Sequence, residues 1–310
     1  TASAISLVRE LFGDMWRYNF IELNASVSKD TPVLVKINGE IERTNFEKLD
    51  RMYFREKDEL YKDVDNIDVL STDNNLKICW KKVSKIIRHK VDKILRIHFE
   101  GGTIELTGNH SIITFDGEGN LVSKSAKDIK EGEFLISFIT NTTRQYSAKA
   151  EYCSKNEKID KFLLINKDLS WLYGAYTAEG CLGNNDIIFV WNKDEEEYMK
   201  KLEYIARRNG FNTSRKLAGS GFSGRDNLSS CQVILFSTRL ESFMRMNFYG
   251  RHAAKHTART KRIPNFMYNT NYENRLSYLK GEYDGDGTGD WNGYFRICSR
   301  SKELLIDLAW

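Results

Sequence analysis

Two short segments of this chain carry acids where acids can do work. The first is Leu172-Tyr-Gly-Ala-Tyr-Thr-Ala-Glu-Gly180 and the second is Leu279-Lys-Gly-Glu-Tyr-Asp-Gly-Asp-Gly287. Both read Leu-x-Gly-x-Tyr-x-small-acid-Gly. The small residues Gly174 and Ala178, like Gly281 and Gly285, stand four apart. That spacing puts them on one face of a helix, where two backbones can approach closely. The acid-Gly ending predicts a left-handed glycine stop for each helix. Packing the small faces together sets Glu179 beside Asp286 at two negative helix ends. The repulsion there is relieved by a divalent cation. Mg²⁺ asks for only one or two protein carboxylates, and between carboxylates and a phosphate it polarises the ester and stabilises the leaving oxygen. One such segment alone reads as ordinary helix packing; a matched pair reads as a site.

The elements that must position these acids are α/β. From about Ile159 onward the pattern gives helix Leu172–Glu179, a strand at Ile187–Trp191, and a helix over Glu195–Asn209 ended by Gly210. A Gly/Ser-rich loop at 219–224 and a strand at Gln232–Phe236 follow. Upstream, short β-like runs at Leu34–Ile37, Leu76–Trp80, Ile94–Phe99, Thr103–Leu106, Ile112–Phe115 and Phe134–Phe138 are separated by Gly- or Asp/Asn-rich turns. That is the pattern of an all-β unit. The charged stretch Ile41–Asn66 reads as a loop with some helix.

Composition bounds the rest. The 310 residues carry a formal charge of +4, unevenly placed. Lys201–Lys280 holds 15 Lys and Arg against 4 Asp and Glu. A basic segment on an otherwise acidic chain is an electrostatic footprint for nucleic acid. Its sharpest run is Arg251–Arg262, with Arg251, Lys255, Arg259, Lys261 and Arg262, two histidines and no acid. A solvated face explains a basic run by itself; the position between the two carboxylate segments favours DNA. The five scattered cysteines read as reduced thiols of a cytoplasmic protein. No apolar run is long enough to span a membrane, and no signal peptide opens the chain.

The paired segments resemble the LAGLIDADG homing endonucleases. That resemblance implies that the two helices form an interface between pseudo-symmetric halves, with Glu179 and Asp286 holding Mg²⁺ for cleavage of double-stranded DNA. Lys261-Arg-Ile-Pro264 is similar to a family block carrying a basic catalytic residue, which makes Lys261 the candidate for stabilising charge or positioning water; a plain phosphate contact is the equal alternative. Sequence reading in the family comes from β-ribbons in the major groove, which puts Arg215, Lys216, Arg225 and Arg239 in that role. Asp290 reads as loop solvation and Asp284 as a helix-surface acid.

Upstream, Val27-Ser-Lys-Asp-Thr-Pro-Val33, Thr107-Gly-Asn-His110 and Lys130-Glu-Gly-Glu-Phe-Leu135 together resemble the N-terminal half of an intein, the Hint fold. The resemblance implies autocatalytic splicing that starts with an acyl shift. The Ser26 side chain attacks the carbonyl before it, His110 supplies a proton and Thr107 helps hold the Ala25–Ser26 amide. Most of the family has Cys at position 26, so Ser here is either natural or a replacement. Residues 11–25 resemble the replication factor C small-subunit family of archaeal clamp loaders, without its phosphate-binding loop.

The expected class is thus α+β. Segment 1–25 is an N-terminal host fragment, 26–145 the N-terminal part of a Hint splicing domain, and 146–310 an incomplete LAGLIDADG domain. No intein-type His-Asn ending is present, which predicts that this chain cannot splice alone. The expected partners are double-stranded DNA at the uninterrupted host-gene site and, after splicing, host clamp-loader subunits. Splicing needs no cofactor, and the intein part is expected to be monomeric. Two rivals stay open: a nuclease-dead nucleic-acid binder on the same fold, and a Hint domain that cleaves without ligating.

Overall fold

The dipeptide Asn38-Gly39 sets the first hairpin. In the computed structural model Asn38 has φ 51° and Gly39 φ 88°, the left-handed pair that lets a two-residue turn match strand twist. It joins β1 (Pro32–Ile37) to β2 (Glu40–Asn45) in an antiparallel ladder from Pro32–Asn45 to Ile37–Glu40. The structure describes residues 26–56, 60–72, 78–99, 102–135, 149–151, 162–219, 229–249, 255–289 and 295–309. The expected host fragment 1–25, Arg225, Arg251 and Asp290 lie outside them.

The chain divides into two compact units, Thr1–Asn141 and Thr142–Trp310. In the first, Asn45 caps α1 (Phe46–Tyr53) by accepting from the Lys48 amide at 2.9 Å. Short strands follow: β3 (Tyr61–Asp63), β4 (Ile67–Thr72), β5 (Ile78–Lys82), β6 (Lys85–Ile87), β7 (Leu95–Phe99), β8 (Gly102–Leu106), β9 (Ser111–Phe115) and β10 (Leu121–Ser125). The main sheet runs β2-β1-β4-β5, and β3–β6, β7–β8 and β9–β10 form separate antiparallel ladders. Val35, Leu49, Ile67 and Val83 make its core.

Two expectations need correction here. Ile41–Asn66 is not mainly loop, since it holds the rest of β2, all of α1 and β3. β2 carries a single aliphatic residue, Ile41, so apolar alternation could not reveal it; the hairpin turn fixes it instead. Of Phe134–Phe138, the described residues Phe134 and Leu135 form no strand, only a bridge from Leu135 to Thr114, whose hydroxyl donates to the Phe134 carbonyl at 2.7 Å.

The second unit begins with β11 (Lys149–Glu151) and β12 (Phe162–Leu164), then α2 (Lys167–Glu179). β13 (Gly180–Leu182), β14 (Asp186–Asn192), α3 (Glu196–Arg208), β15 (Asn212–Ala218), β16 (Ser230–Phe236) and α4 (Thr238–Asn247) follow. After the 3-10 turn Ala258–Thr260 come α5 (Asn265–Tyr268), α6 (Tyr272–Asp286), β17 (Gly287–Gly289), β18 (Phe295–Ile297) and α7 (Lys302–Leu308). The four-stranded antiparallel sheet runs β13-β14-β16-β15. Its buried face presents Ile187, Phe189, Trp191, Cys231, Val233 and Leu235. On the other face the register lines up Val190, Gln232 and Lys216, and beside them Ile188, Ile234 and Ser214. Among the described residues no helix is long and apolar enough to cross a membrane.

Candidate functional site

Ser26 is delivered to its partners by strand pairing. Val27 bridges Leu106 at the end of β8, and the Ser28 amide donates to the Glu105 carbonyl at 2.9 Å. One residue further, the Thr107 amide donates to the Ser26 carbonyl at 2.7 Å, while the Ser26 amide donates to Thr107 Oγ1 at 2.9 Å. The hydroxyl of a buried threonine thus grips the nitrogen of the peptide bond that precedes Ser26. His110 stands in the same turn, its amide on the Thr107 carbonyl at 3.0 Å. Bonds from Ala126 to the His110 carbonyl and from Lys127 to the Gly108 carbonyl lock that turn. The His110 ring is pushed down to about 4 by burial, so it is neutral at physiological pH, and its Nδ1 is buried without a hydrogen-bond partner. Ser26 Oγ meets a residue that the sequence reading did not single out, His89, at 3.4 Å from Nδ1 and 3.3 Å from Nε2.

The second constellation lies on α2 and α6. Asn166 and Asn271 cap the two helices, accepting from the Leu169 and Asn274 amides at 2.8 and 2.9 Å. The helices meet backbone to backbone. A Cβ on Gly174 would fall on the Tyr278 carbonyl oxygen, and one on Gly281 on that of Trp171. Lower down, a Cβ on Gly285 would stand 2.6 Å from Ala178 Cβ and 3.0 Å from Glu179 Cγ. Thr177 and Tyr278 share a hydroxyl hydrogen bond at 2.5 Å, and Ser277 donates to the Lys167 carbonyl at 2.7 Å. The expected left-handed stops are not present. Gly180 and Gly287 are extended, with φ of −86° and −87°. Glycine is needed there for another reason: a Cβ would strike the ring of the tyrosine four residues earlier, Tyr176 or Tyr283.

This packing brings Glu179 and Asp286 into one half-buried site. Burial first, and then the Asp286 charge, pushes Glu179 up to about 7. Burial likewise raises Asp286. Lys261 lies behind them, 5% exposed, its Nζ donating to the carbonyls of Tyr176 at 3.0 Å, Thr177 at 2.8 Å and Ala178 at 3.5 Å. It neutralises the negative end of α2. Burial lowers its pKa, and the acids Glu282, Asp286 and Glu179 oppose that. Glu282 also went unnoticed in the sequence reading. It is fully buried, neither carboxyl oxygen has a hydrogen-bond partner, and burial followed by the Asp286 charge pushes it up to about 8. Asp284 is not a surface acid. Its side chain is 10% exposed, accepts from Trp171 Nε1 at 2.7 Å and lies 3.5 Å from Lys201 Nζ.

The intein splicing domain family matches residues 47–210, just over half of the chain. The chain belongs to that family. Along its whole length the intein is similar to a replication factor C small subunit of Methanocaldococcus jannaschii, 45% identical over 325 residues and covering 17% of that protein. It is 52% identical over 145 residues to the replication factor C small subunit of Methanopyrus kandleri, covering 47% of this chain and 23% of that one. The intein thus spans about a fifth of the curated relatives it matches. Among solved structures, a transcription factor IIB mini-intein is 26% identical over 36% of this chain and 68% of its own, with a TM-score of 0.33. The resemblance to inteins and to the clamp-loader subunit is borne out.

The basic residues of the intein fall into two groups. Arg215 is held by Glu203, at 2.6 and 2.8 Å, and by Glu196 at 2.6 Å. Arg262 pairs with the buried Asp307, both bonds 3.3 Å. By contrast, Lys216 on β15 and Lys255 and Arg259 before α5 are exposed. Arg239 sits in the first turn of α4. Hydrophobic pattern carries no sign of which arginines are paired, because the partners lie far away in sequence.

Proposed function

We propose that splicing in this intein begins with an N-to-O acyl shift at the Ala25–Ser26 bond. The observation that carries this reading is the double grip of Thr107 on Ser26, side chain to amide and amide to carbonyl. A threonine hydroxyl on the amide nitrogen holds that peptide fixed while its own serine attacks it. His110 supplies a proton to the departing nitrogen, and its neutral ring can donate one N–H. The product is an ester, cleavable by hydroxylamine. In a complete precursor carrying this chain, hydroxylamine should release the segment N-terminal to Ser26, and Ser26→Ala should abolish release. Release that persists without the Ser26 hydroxyl would refute the shift.

The second unit supports a further activity, Mg²⁺-dependent cleavage of double-stranded DNA at the uninterrupted host-gene site. The favouring observation is the glycine-mediated contact that ends with Glu179 against Gly285, one residue before Asp286. The donor set suits Mg²⁺: two carboxylates that burial and mutual repulsion disfavour as a bare pair. Mg²⁺ needs only one or two protein carboxylates and takes its remaining ligands from water and phosphate. Glu179 and Asp286 would hold it, and it would supply polarisation of the scissile phosphate. Lys261 fixes the end of α2 and sets positive charge behind the pair. The open face of the sheet, with Lys216, Gln232 and Ser214, offers polar side chains to base edges, and Lys255 and Arg259 offer charge to phosphates. The test is cleavage of host-gene DNA with and without Mg²⁺. Binding with no cutting would leave a nuclease-dead binder.

A further inference from the structure

Ser26 needs a base, and the structure supplies one that no splicing motif contains. A serine hydroxyl is a weak nucleophile at neutral pH unless a neighbouring group takes its proton. The side-chain hydrogen bonds of Ser26 Oγ go to the His89 ring, at 3.3 and 3.4 Å. His89 is not loosely placed. Its neighbour Arg88 pins the segment after β6 from three directions. The Arg88 amide donates to the Leu60 carbonyl at 2.9 Å, Nη1 meets Asp50 Oδ1 at 2.9 Å, and the guanidinium lies 4.3 Å from the Phe54 ring centre. A second histidine, His110, follows Thr107 in the same turn, its amide on the Thr107 carbonyl at 3.0 Å. The attack has two proton events, one at the hydroxyl and one at the departing nitrogen.

We propose that His89 is a catalytic residue of the first splicing step, the base that takes the proton from Ser26 Oγ. The proposal rests on the reading of Ser26 as the acyl-shift nucleophile. In the step, the Oγ–H bond gives its proton to the unprotonated nitrogen of His89 as Oγ bonds to the carbonyl carbon of residue 25. The carbon–nitrogen bond then breaks, and the nitrogen takes a proton from His110. The His110 ring regains a proton from solvent in the same step and so stays neutral, and the imidazolium at His89 releases its proton to solvent. No proton, electron or atom is gained or lost overall; an amide has become an ester.

The experiment follows hydroxylamine release of the segment N-terminal to Ser26 by mass spectrometry, in a complete precursor, for His89→Ala and His89→Gln. Both should slow release by about 100-fold or more, the usual scale of general-base assistance. The same changes are then made beside Ser26→Cys. A thiol ionises far more readily than a hydroxyl and needs the base less, so the loss there should stay below about tenfold. A loss of equal size in both backgrounds would overturn the assignment, because a packing role is blind to the nucleophile. Unchanged release from His89→Ala would overturn it too, while silence of Ser26→Ala in the same assay keeps the acyl shift itself intact. Release persisting in Ser26→Ala would instead remove the underlying reading.

Discussion

At the scale of single residues, the two sites ask opposite things of their acids and bases. The carboxylates at the ends of α2 and α6 must be charged to hold a cation, yet their surroundings push them toward neutrality. Glu179→Gln or Asp286→Asn should therefore abolish Mg²⁺-dependent cutting and leave gel-shift binding of host-gene DNA within about twofold, since phosphate contacts supply the affinity. Cutting at the parental rate by Glu179→Gln would end the two-carboxylate mechanism. At the splicing junction, Thr107→Ala removes the acceptor of the Ser26 amide. One hydrogen bond is worth about 1 kcal/mol, so release of the N-terminal segment should slow roughly five- to tenfold. His110→Ala should be more severe. Of these residues, Ser26, Thr107 and His110 were legible because they sit in ordered motifs. His89 was not, because a lone histidine in Arg88-His-Lys90 resembles any basic turn, and its meeting with Ser26 is made by folding. Glu282 escaped for a different reason: attention to the small residues and terminal acid of its segment hides an acid in the middle.

At the scale of elements, the α2–α6 contact is the most constrained feature of the second unit. Gly281→Ala forces a methyl group onto the Trp171 carbonyl, and overpacking against backbone should cost roughly 3 kcal/mol. A urea midpoint unchanged from the parent would show that the helices can move apart freely. Glu282 adds a pH dependence. Its folded carboxyl, pushed from 4.5 up to about 8, keeps a proton that the unfolded chain has already released. The unit should therefore lose stability as pH rises across that window. Urea midpoints at pH 5 and pH 8.5 measure the slope, and Glu282→Gln should flatten part of it. Helix α3 and strands β14 and β16 were readable from periodicity, and α2 from its repeated segment, since its buried residues Leu169–Thr177 run without a break; β2 was concealed by its polar sequence. The glycine stops were placed correctly and explained wrongly. A tyrosine ring four residues back, not a left-handed backbone, excludes other side chains there.

At the scale of the whole molecule, charge and continuity decide the behaviour. Net basicity of Lys201–Lys280 suggested a DNA face, but pairing divides it. Lys216→Ala, Lys255→Ala and Arg259→Ala should each lower the salt slope of DNA binding by about one. Arg215→Ala and Arg262→Ala should lower thermal stability instead, since each leaves carboxylates without their partner. A titration of binding against salt with all five variants separates the groups. Continuity concerns the host: an unspliceable precursor should lack clamp-loader ATPase turnover, and full turnover would contradict that expectation. The glycines at the helix contact carry one last consequence, for inheritance. Gly174 and Gly281 leave no room for a side chain whatever the unit does for a living, whereas on the proposed nuclease reading Glu179 and Asp286 matter only while cutting is selected. A lineage that stops homing should therefore drift first at the acids and keep the glycines, so that a dead nuclease would still wear the scaffold of a working one.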